Sequence, residues 1–335
     1  MFQKAKFVTV AVLAVLLAGV AQGQGLKKIN LTQAVASFAF LPISYAKAAG
    51  FYADEGIDLT QIATRGGGPD MTALLSGDVQ FNAAAGTYQI SALKAGRSII
   101  NVYNFYSKNL INITLSKNAV KRIGVSANAP FSERVRALRG LTLGMTRPGS
   151  LTHKQLNYLV KSGGMDPKNP DHVKIVAIGG PPNLLAALER GQIDGFAISV
   201  PINRIAVSRG KAVIWIDNAS GQDPAITPFM MESLLTTAKY AEANPDVVRA
   251  MVKATRRAVK EIQAKSAQEI LEVVKGEFTK FKAPVMLLGI EAIKPALNGD
   301  GRVTIDMARK TLLLDGRTGV KPEALYGMFT DKYMR

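Results

Sequence analysis

The 335-residue chain contains no cysteine. That excludes disulfides, thiolate metal sites and a cysteine nucleophile together. It also excludes a lipid anchor, which needs a cysteine at the cleavage point for diacylation. Histidine is nearly as scarce, with His153 placed in the first turn of a helix and His172 in a loop before a strand. No His/Asp/Glu set has metal-ligand spacing, and no nucleophile-elbow, Walker or dinucleotide-binding pattern appears. Gly66-Gly67-Gly68 lacks the Lys and Ser/Thr that a phosphate loop requires. Neither a metal, a cofactor nor a catalytic residue is therefore expected.

Acidic residues are under-represented, 25 against 42 Lys and Arg, for a formal charge of +17. Such a balance fits nucleic acid, an acidic membrane surface or an anionic ligand. The basic residues are scattered, with no long run and no RNA-binding aromatic motif, so nucleic acid is not an expected partner. Many of these charges simply decorate a solvated surface.

Long apolar runs are also missing, with one short exception at the start. Lys4 and Lys6 precede the uncharged apolar run Phe7 to Val20, and Ala21-Gln22-Gly23 then offers small residues for cleavage. The run falls short of the roughly 20 residues that span a bilayer. A signal peptide over residues 1–23 is expected, cut near Gly23/Gln24. Losing Lys4 and Lys6 lowers the charge to +15. The mature protein is expected in the periplasm, neither lipid-anchored nor membrane-embedded.

Hydrophobic residues make up 47 % of the chain, enough for a sizeable core in two domains or one domain of two lobes. The chain repeats itself. Ala73-Leu74-Leu75-Ser76-Gly77-Asp78-Val79 matches Ala187-Leu188-Glu189-Arg190-Gly191-Gln192-Ile193, and each is preceded by Gly-Gly-Pro, at Gly67-Gly68-Pro69 and Gly179-Gly180-Pro181. Around them, Ile29 to Val35 and Ile57 to Ala63 read as strands, with a helix starting over Pro42 to Ala49. In the second half the strands are Leu141 to Met145 and Val173 to Ala177, with a helix over Ser150 to Lys161. Strands alternating with helices at this spacing predict βαβ units. The fold class is α/β, with two similar lobes built on mainly parallel sheets. From Glu232 onward the pattern changes to long helices. One of these helices runs from Asp246 to Lys265, its apolar side carrying Val248, Met251, Val252, Val259 and Ile262. Its basic side reads as a solvated face, or less simply as a permease-docking surface.

Ligands of parallel α/β sheets sit beyond the carboxyl ends of the strands, near helix N-termini. That rule selects Phe38 to Pro42, Arg65 to Gly68 and Ala85 to Tyr88 in the first half. In the second half it selects Thr146 to Thr152, Gly179 to Asn183 and Ser199 to Ile202. The candidate ligand-binding residues are Phe40, Pro42, Arg65, Gly67, Gly68, Gly86, Thr87, Tyr88, Arg147, Gly149, Ser150, Thr152, Gly180, Ser199 and Pro201. Arg147 and Arg65 offer planar forks for a carboxylate or sulfonate, or point to solvent. Gly149 permits close backbone approach, and Ser150 caps a helix with or without touching a ligand. Phe40, Tyr45 and Tyr88 read either as core or as an aromatic wall.

On these residues the chain resembles the nitrate/sulfonate/taurine-type substrate-binding proteins of the type II periplasmic-binding fold. The matching stretches are Leu41-Pro42 through Ala46, Ala49-Gly50-Phe51-Tyr52, Glu55-Gly56-Ile57-Asp58, Ala73-Leu74 to Gly77 and Val79, and Ala92 to Gly96. They continue through Leu138-Arg139-Gly140, Gly144, Pro148-Gly149-Ser150, Ala187-Leu188 to Gly191-Gln192-Ile193-Asp194, and Asn244-Pro245-Asp246 with Val248. Lys117 to Glu133 reads longer than the family pattern before the second lobe.

The resemblance implies two doubly wound lobes joined by hinge crossovers: residues 24–116 in lobe I, 117–224 in lobe II, and 225–335 returning to lobe I with C-terminal helices packed on it. It also implies a monomer that closes on a small-molecule ligand and delivers it to the transmembrane subunits of an ABC permease. Gly149, Ser150 and the loops at Gly67 and Thr87 correspond to binding loops, whereas Arg65 and Arg147 fall at variable positions. Nitrate, alkanesulfonates, aromatic carboxylates and pyrimidines are all served by this fold, and the basic charge favours an anion. The competing reading is an enzyme on the same fold acting on a pyrimidine or sulfur compound without cysteine. Enzymes of this architecture rely on cysteine chemistry, and no poised base is evident here.

Overall fold

The computed structural model describes residues 25–34, 37–64, 67–94, 96–279, 281–316 and 321–334. The expected signal segment and Arg65 lie outside the described residues. The first sheet collects β1 (Lys27–Gln33), β2 (Ile57–Ala63), β3 (Phe81–Ala85) and β4 (Ile99–Asn104). Between them run α1 (Leu41–Ala48), α2 (Phe51–Asp54), α3 (Gly67–Ser76) and α4 (Gly86–Lys94). The chain then crosses to a second sheet, built from β5 (Asn112–Ser116), β6 (Thr142–Met145), β7 (Lys174–Ala177), β8 (Gly195–Ile198) and β9 (Ala212–Ile216). Its helices are α5 (Lys117–Ile123), α6 (Phe131–Arg136), α7 (Leu151–Ser162), α8 (Pro181–Glu189) and α9 (Ile202–Ser208). A second crossover returns to the first sheet as β10 (Glu232–Thr237). Then follow α10 (Ala238–Ala243), α11 (Pro245–Ala264), α12 (Ala267–Val274), α13 (Ala283–Ile293) and α14 (Ile305–Leu313).

Both sheets have five strands among the described residues, ordered β2-β1-β3-β10-β4 and β7-β6-β8-β5-β9. The two orders are the same pattern twice, which accounts for the internal repeat. In each sheet four strands point one way and one opposes them. β10 is antiparallel to β3 and β4, and β5 is antiparallel to β8 and β9. These reversed strands are the first elements after each crossover. The expected lobe I boundary at residue 116 is corrected by this pairing: β5 belongs to the second sheet, so the chain leaves the first sheet after Asn104. A short strand whose partners lie some eighty to a hundred positions downstream gives no local sign of which sheet it joins.

The central strands β3 and β8 are buried along their whole length. The small side chains Ala83, Ala84 and Ala85 leave room at the end of β3. Trp215 is fully buried, its indole N–H donating to the Arg134 carbonyl at 2.9 Å. The Arg134 guanidinium in turn donates to the Trp215 carbonyl at 2.5 Å, tying α6 to β9. Phe38 stacks on Phe278 at 4.6 Å and tilts against Phe281 at 5.7 Å. Gly289 keeps α13 close to that ring, because a Cβ there would lie 2.9 Å from it. This cluster pins the segment before α1 beneath the C-terminal helices.

The C-terminal helices pack mainly on the first lobe: α11 on α1 and α2, α12 on α1, α14 on α4. Helix α13 also touches α9 of the second lobe. No helix among the described residues is long and apolar enough to cross a membrane.

Candidate functional site

Helix α7 shows how local sequence builds one wall of the site. Gly149 takes φ +77°, a left-handed turn that L side chains rarely adopt, and its N–H donates to His153 Nδ1 at 3.0 Å. The turn delivers Ser150 in extended geometry as N-cap, its Oγ accepting the His153 N–H at 3.3 Å. The Ser150 hydroxyl also lies 2.7 Å from the Arg147 carbonyl and 2.8 Å from Thr152 Oγ1. Thr146 N–H donates to that same Thr152 oxygen at 3.0 Å. These bonds leave the N–H groups of Leu151 and Thr152 without intrahelical partners, a ready anion site at the positive end of a twelve-residue helix. The next helix of this lobe, α8, opens with Pro181 and Pro182, which have no N–H to offer.

Between the two lobes lies a cavity of about 490 Å³, in the usual size range for organic ligands. From the second lobe it is lined by Thr146, Arg147 and Ser150 to Thr152 at the mouth of α7, by Gly179 to Pro182, and by Ile198 to Ile202. From the first lobe come Ala34, Ala39 and Phe40, the end of β3, Tyr88 of α4, and Asp70 of α3. Met231, Glu232, Ile111 and Phe281 complete the wall, which is mostly apolar.

The structure therefore brings together Phe40, Tyr88, Arg147, Ser150, Thr152, Gly180, Ser199 and Pro201. The remaining described candidates do not line the cavity. Pro42 is buried in the first turn of α1, and Gly67 and Gly68 form the start of α3 behind Asp70. Gly86 is pressed against Met230, where a Cβ would sit 2.7 Å away, and Thr87 is fully buried beside it. Gly149 shapes the turn without reaching the wall. Tyr45 packs in the core, its hydroxyl donating to Glu261 at 3.0 Å.

Two acidic residues escaped the sequence reading. Asp70 is fully buried in the first turn of α3, and its Oδ1 accepts from the Thr64 hydroxyl. Glu232 is also buried, at the first position of β10, in register with Ala85. Because β10 runs against its neighbours, its start lies beside the ligand-facing end of β3. Burial pushes Asp70 up to about 6, with the Thr64 bond and the Arg147 charge opposing. Burial pushes Glu232 up to about 8, and the Asp70 charge adds to it. The Tyr88 phenol is raised by burial and by Glu232, while Arg147 pulls it down. Arg147 is itself exposed, placed at the cavity mouth where its charge reaches Tyr88 and Asp70 across the gap. Glu232 interrupts the otherwise apolar run Phe229 to Leu235 apart from Ser233, which was the available sequence signal. Among the described residues no cluster of acidic and histidine side chains is placed to hold a metal.

The NMT1-like family model matches residues 34–275. Among curated proteins, the nitrate/nitrite binding protein NrtA of Nostoc sp. strain PCC 7120 is 24 % identical over 204 residues, covering 54 % of this chain and 44 % of that one. The putative binding protein YtlA of Bacillus subtilis strain 168 is 22 % identical over 281 residues, or 83 % and 79 % of the two chains. The chain thus spans under half the length of that nitrate/nitrite binding relative. Among solved structures, a protein of Bordetella bronchiseptica RB50 superposes with a TM-score of 0.74 at 22 % identity, covering 92 % of this chain and 95 % of that one. The periplasmic aliphatic sulphonate binding protein SsuA of Escherichia coli gives 0.61 at 16 % identity, covering 79 % and 83 %. At such identities the structural likeness shows a common fold.

Proposed function

Starting from the fact that the chain belongs to the NMT1-like family, we propose that it is the solute-binding component of an ABC importer, capturing a small organic acid between its lobes. The observation that carries this reading is a cavity walled by strand ends and helix starts of both lobes. The acidic group of the solute sits at the start of α7, against the free N–H groups of Leu151 and Thr152 and the Arg147 guanidinium. Its carbon body lies on Phe40, Ile111, Met231 and the alanines of β3. Nitrate and aliphatic sulphonates, named for the relatives, carry the same negative charge. A nitrate ion would leave most of the apolar wall unfilled, so an organic solute is favoured.

Solute contacts made to both lobes at once favour the closed arrangement over the open one. Arg147 of the second lobe already reaches the electrostatic range of Asp70 and Tyr88 of the first. In this reading the protein is exported by its N-terminal segment, works in the periplasm as a monomer, and presents its closed form to the permease without altering the solute.

A thermal-shift panel of nitrate, sulfonates, taurine, aromatic carboxylates and pyrimidines tests the proposal. A solute at a hundred times its Kd adds about 2.7 kcal/mol. At roughly 1.5 °C per kcal/mol for a chain of this length, that is a shift of about 4 °C, readily measured. The expected result is an organic acid that raises Tm and is recovered unchanged by chromatography. Consumption of the solute, or binding that persists in Arg147→Ala and in a cavity-filling Ala84→Trp, contradicts the proposal.

A further inference from the structure

Resting on that capture reading, we infer that the solute carries a protonated amine in addition to its acidic group, and that Asp70 and Glu232 receive it. Both side chains line the cavity and both are more than nine-tenths buried. Asp70 uses one carboxyl oxygen for the Thr64 hydroxyl, and its Oδ2 has no hydrogen-bond partner. Glu232 Oε2 has none either. Buried polar atoms without partners are rare in folded proteins, and a carboxylate oxygen can be satisfied only by a donor. Nitrate, a sulfonate or a carboxylate brings acceptors alone and meets the like charge of Asp70. An ammonium brings three donors and the opposite charge.

The electrostatics of the wall agree. Among the described residues lining the cavity, Arg147 is the one cation, and it stands at the exposed mouth with the start of α7. The groups facing Glu232 are Asp70 of α3, Tyr88 of α4 and Tyr106 after β4, none of them positive. Near neutral pH Glu232 holds its proton because it is buried beside the Asp70 carboxyl and no cation offsets that cost. An arriving ammonium supplies one, so Glu232 ionises and a proton leaves as the solute binds. The alternative, a protonated Glu232 donating to an acceptor on the solute, reverses the pH dependence. Affinity for an amine rises between pH 6 and pH 8, whereas affinity for an acceptor falls.

Calorimetric titration of the purified protein with matched pairs decides the matter: taurine and ethanesulfonate, γ-aminobutyrate and butyrate, para-(aminomethyl)benzoate and para-toluate. The expected result is at least one pair in which the amine binds about tenfold tighter or more, a difference of about 1.4 kcal/mol. That amine should bind more tightly as pH rises, with heats that vary with the buffer as a proton is released. Glu232→Gln and Asp70→Asn should each bring the pair within about threefold of each other, and two variants guard against one that fails to fold. Des-amino partners that bind as well as the amines, with binding lost in Arg147→Ala, overturn the amine and leave acid capture standing. Affinity that falls with rising pH overturns it likewise. Silence of every probe at about 10 mM against a folded protein overturns both readings.

Discussion

Glu232→Gln should make the unliganded protein more stable. In the fold the carboxyl is buried and holds its proton up to about pH 8, whereas its ordinary value is 4.5. Between those values the native state binds a proton that the unfolded chain has released. Stability therefore falls as pH rises through that window, by about 1.4 kcal/mol per unit, and levels off above about 8. At pH 7 the accumulated penalty is about 3 kcal/mol, and a neutral glutamine of the same shape does not carry it. At about 2.1 cal/mol/K of unfolding entropy per residue, a chain of this size should show a rise in Tm of roughly 4 °C. Asp70 titrates lower, near 6, so thermal unfolding by circular dichroism at pH 6 to 8 isolates Glu232. The wild type should lose stability across that range relative to the variant, and the gap between them should widen with pH. A variant that melts below the wild type, or a gap that does not change with pH, would refute the reasoning. A site that destabilises its own fold until a ligand arrives is a familiar trade of stability for function.

The α7 wall and the closed arrangement can be perturbed separately. Ser150→Ala removes the N-cap and should cost about 1 kcal/mol in denaturant unfolding, while loosening the Thr146 and Thr152 hydroxyls that hold the anion end. Lys154 of α7 pairs at 2.6 Å with Asp315, which follows α14 on the first lobe, and lies 5.7 Å from the Tyr88 ring. Both partners are largely buried, so Lys154→Ala should bias the lobes apart by about 1 kcal/mol, weakening solute binding roughly fivefold. Small-angle scattering should report a larger radius of gyration for the unliganded variant. Phe38→Ala removes a ring packed between Phe278, Phe281 and Gly289, and should cost about 3–5 kcal/mol in unfolding free energy.

Much of the parallel framework was legible because it is written in local patterns. The strand read over Ile57 to Ala63 is β2 residue for residue, and the helix read over Ser150 to Lys161 is α7 displaced by one position. Glycine and proline punctuation marked the starts of α3 and α8, with Gly77 and Gly191 both in the left-handed conformation after their helices. The two reversed strands were not placed, since β5 and β10 find their sheets through partners distant in sequence.

The site divides along the same line. The loops at Thr146 and Ser199 follow from the rule that ligands gather at strand ends, and both line the cavity. That rule also selected Gly67, Gly86 and Thr87, none of which lines the cavity. The rule counts only strands of the parallel set, so it missed Glu232, carried to that end by an opposing strand. Asp70 was hidden for a different reason: aspartate in a first helical turn is ordinary, and only tertiary burial makes it unusual.

Calorimetric titration with the strongest organic acid from the thermal panel, run on the wild type and on Arg147→Ala, tests the central claim most directly. The account predicts one solute bound per chain, recovered chemically unchanged, with affinity reduced roughly tenfold or more when Arg147 is lost. Turnover of the solute, or equal binding by both proteins, would contradict it.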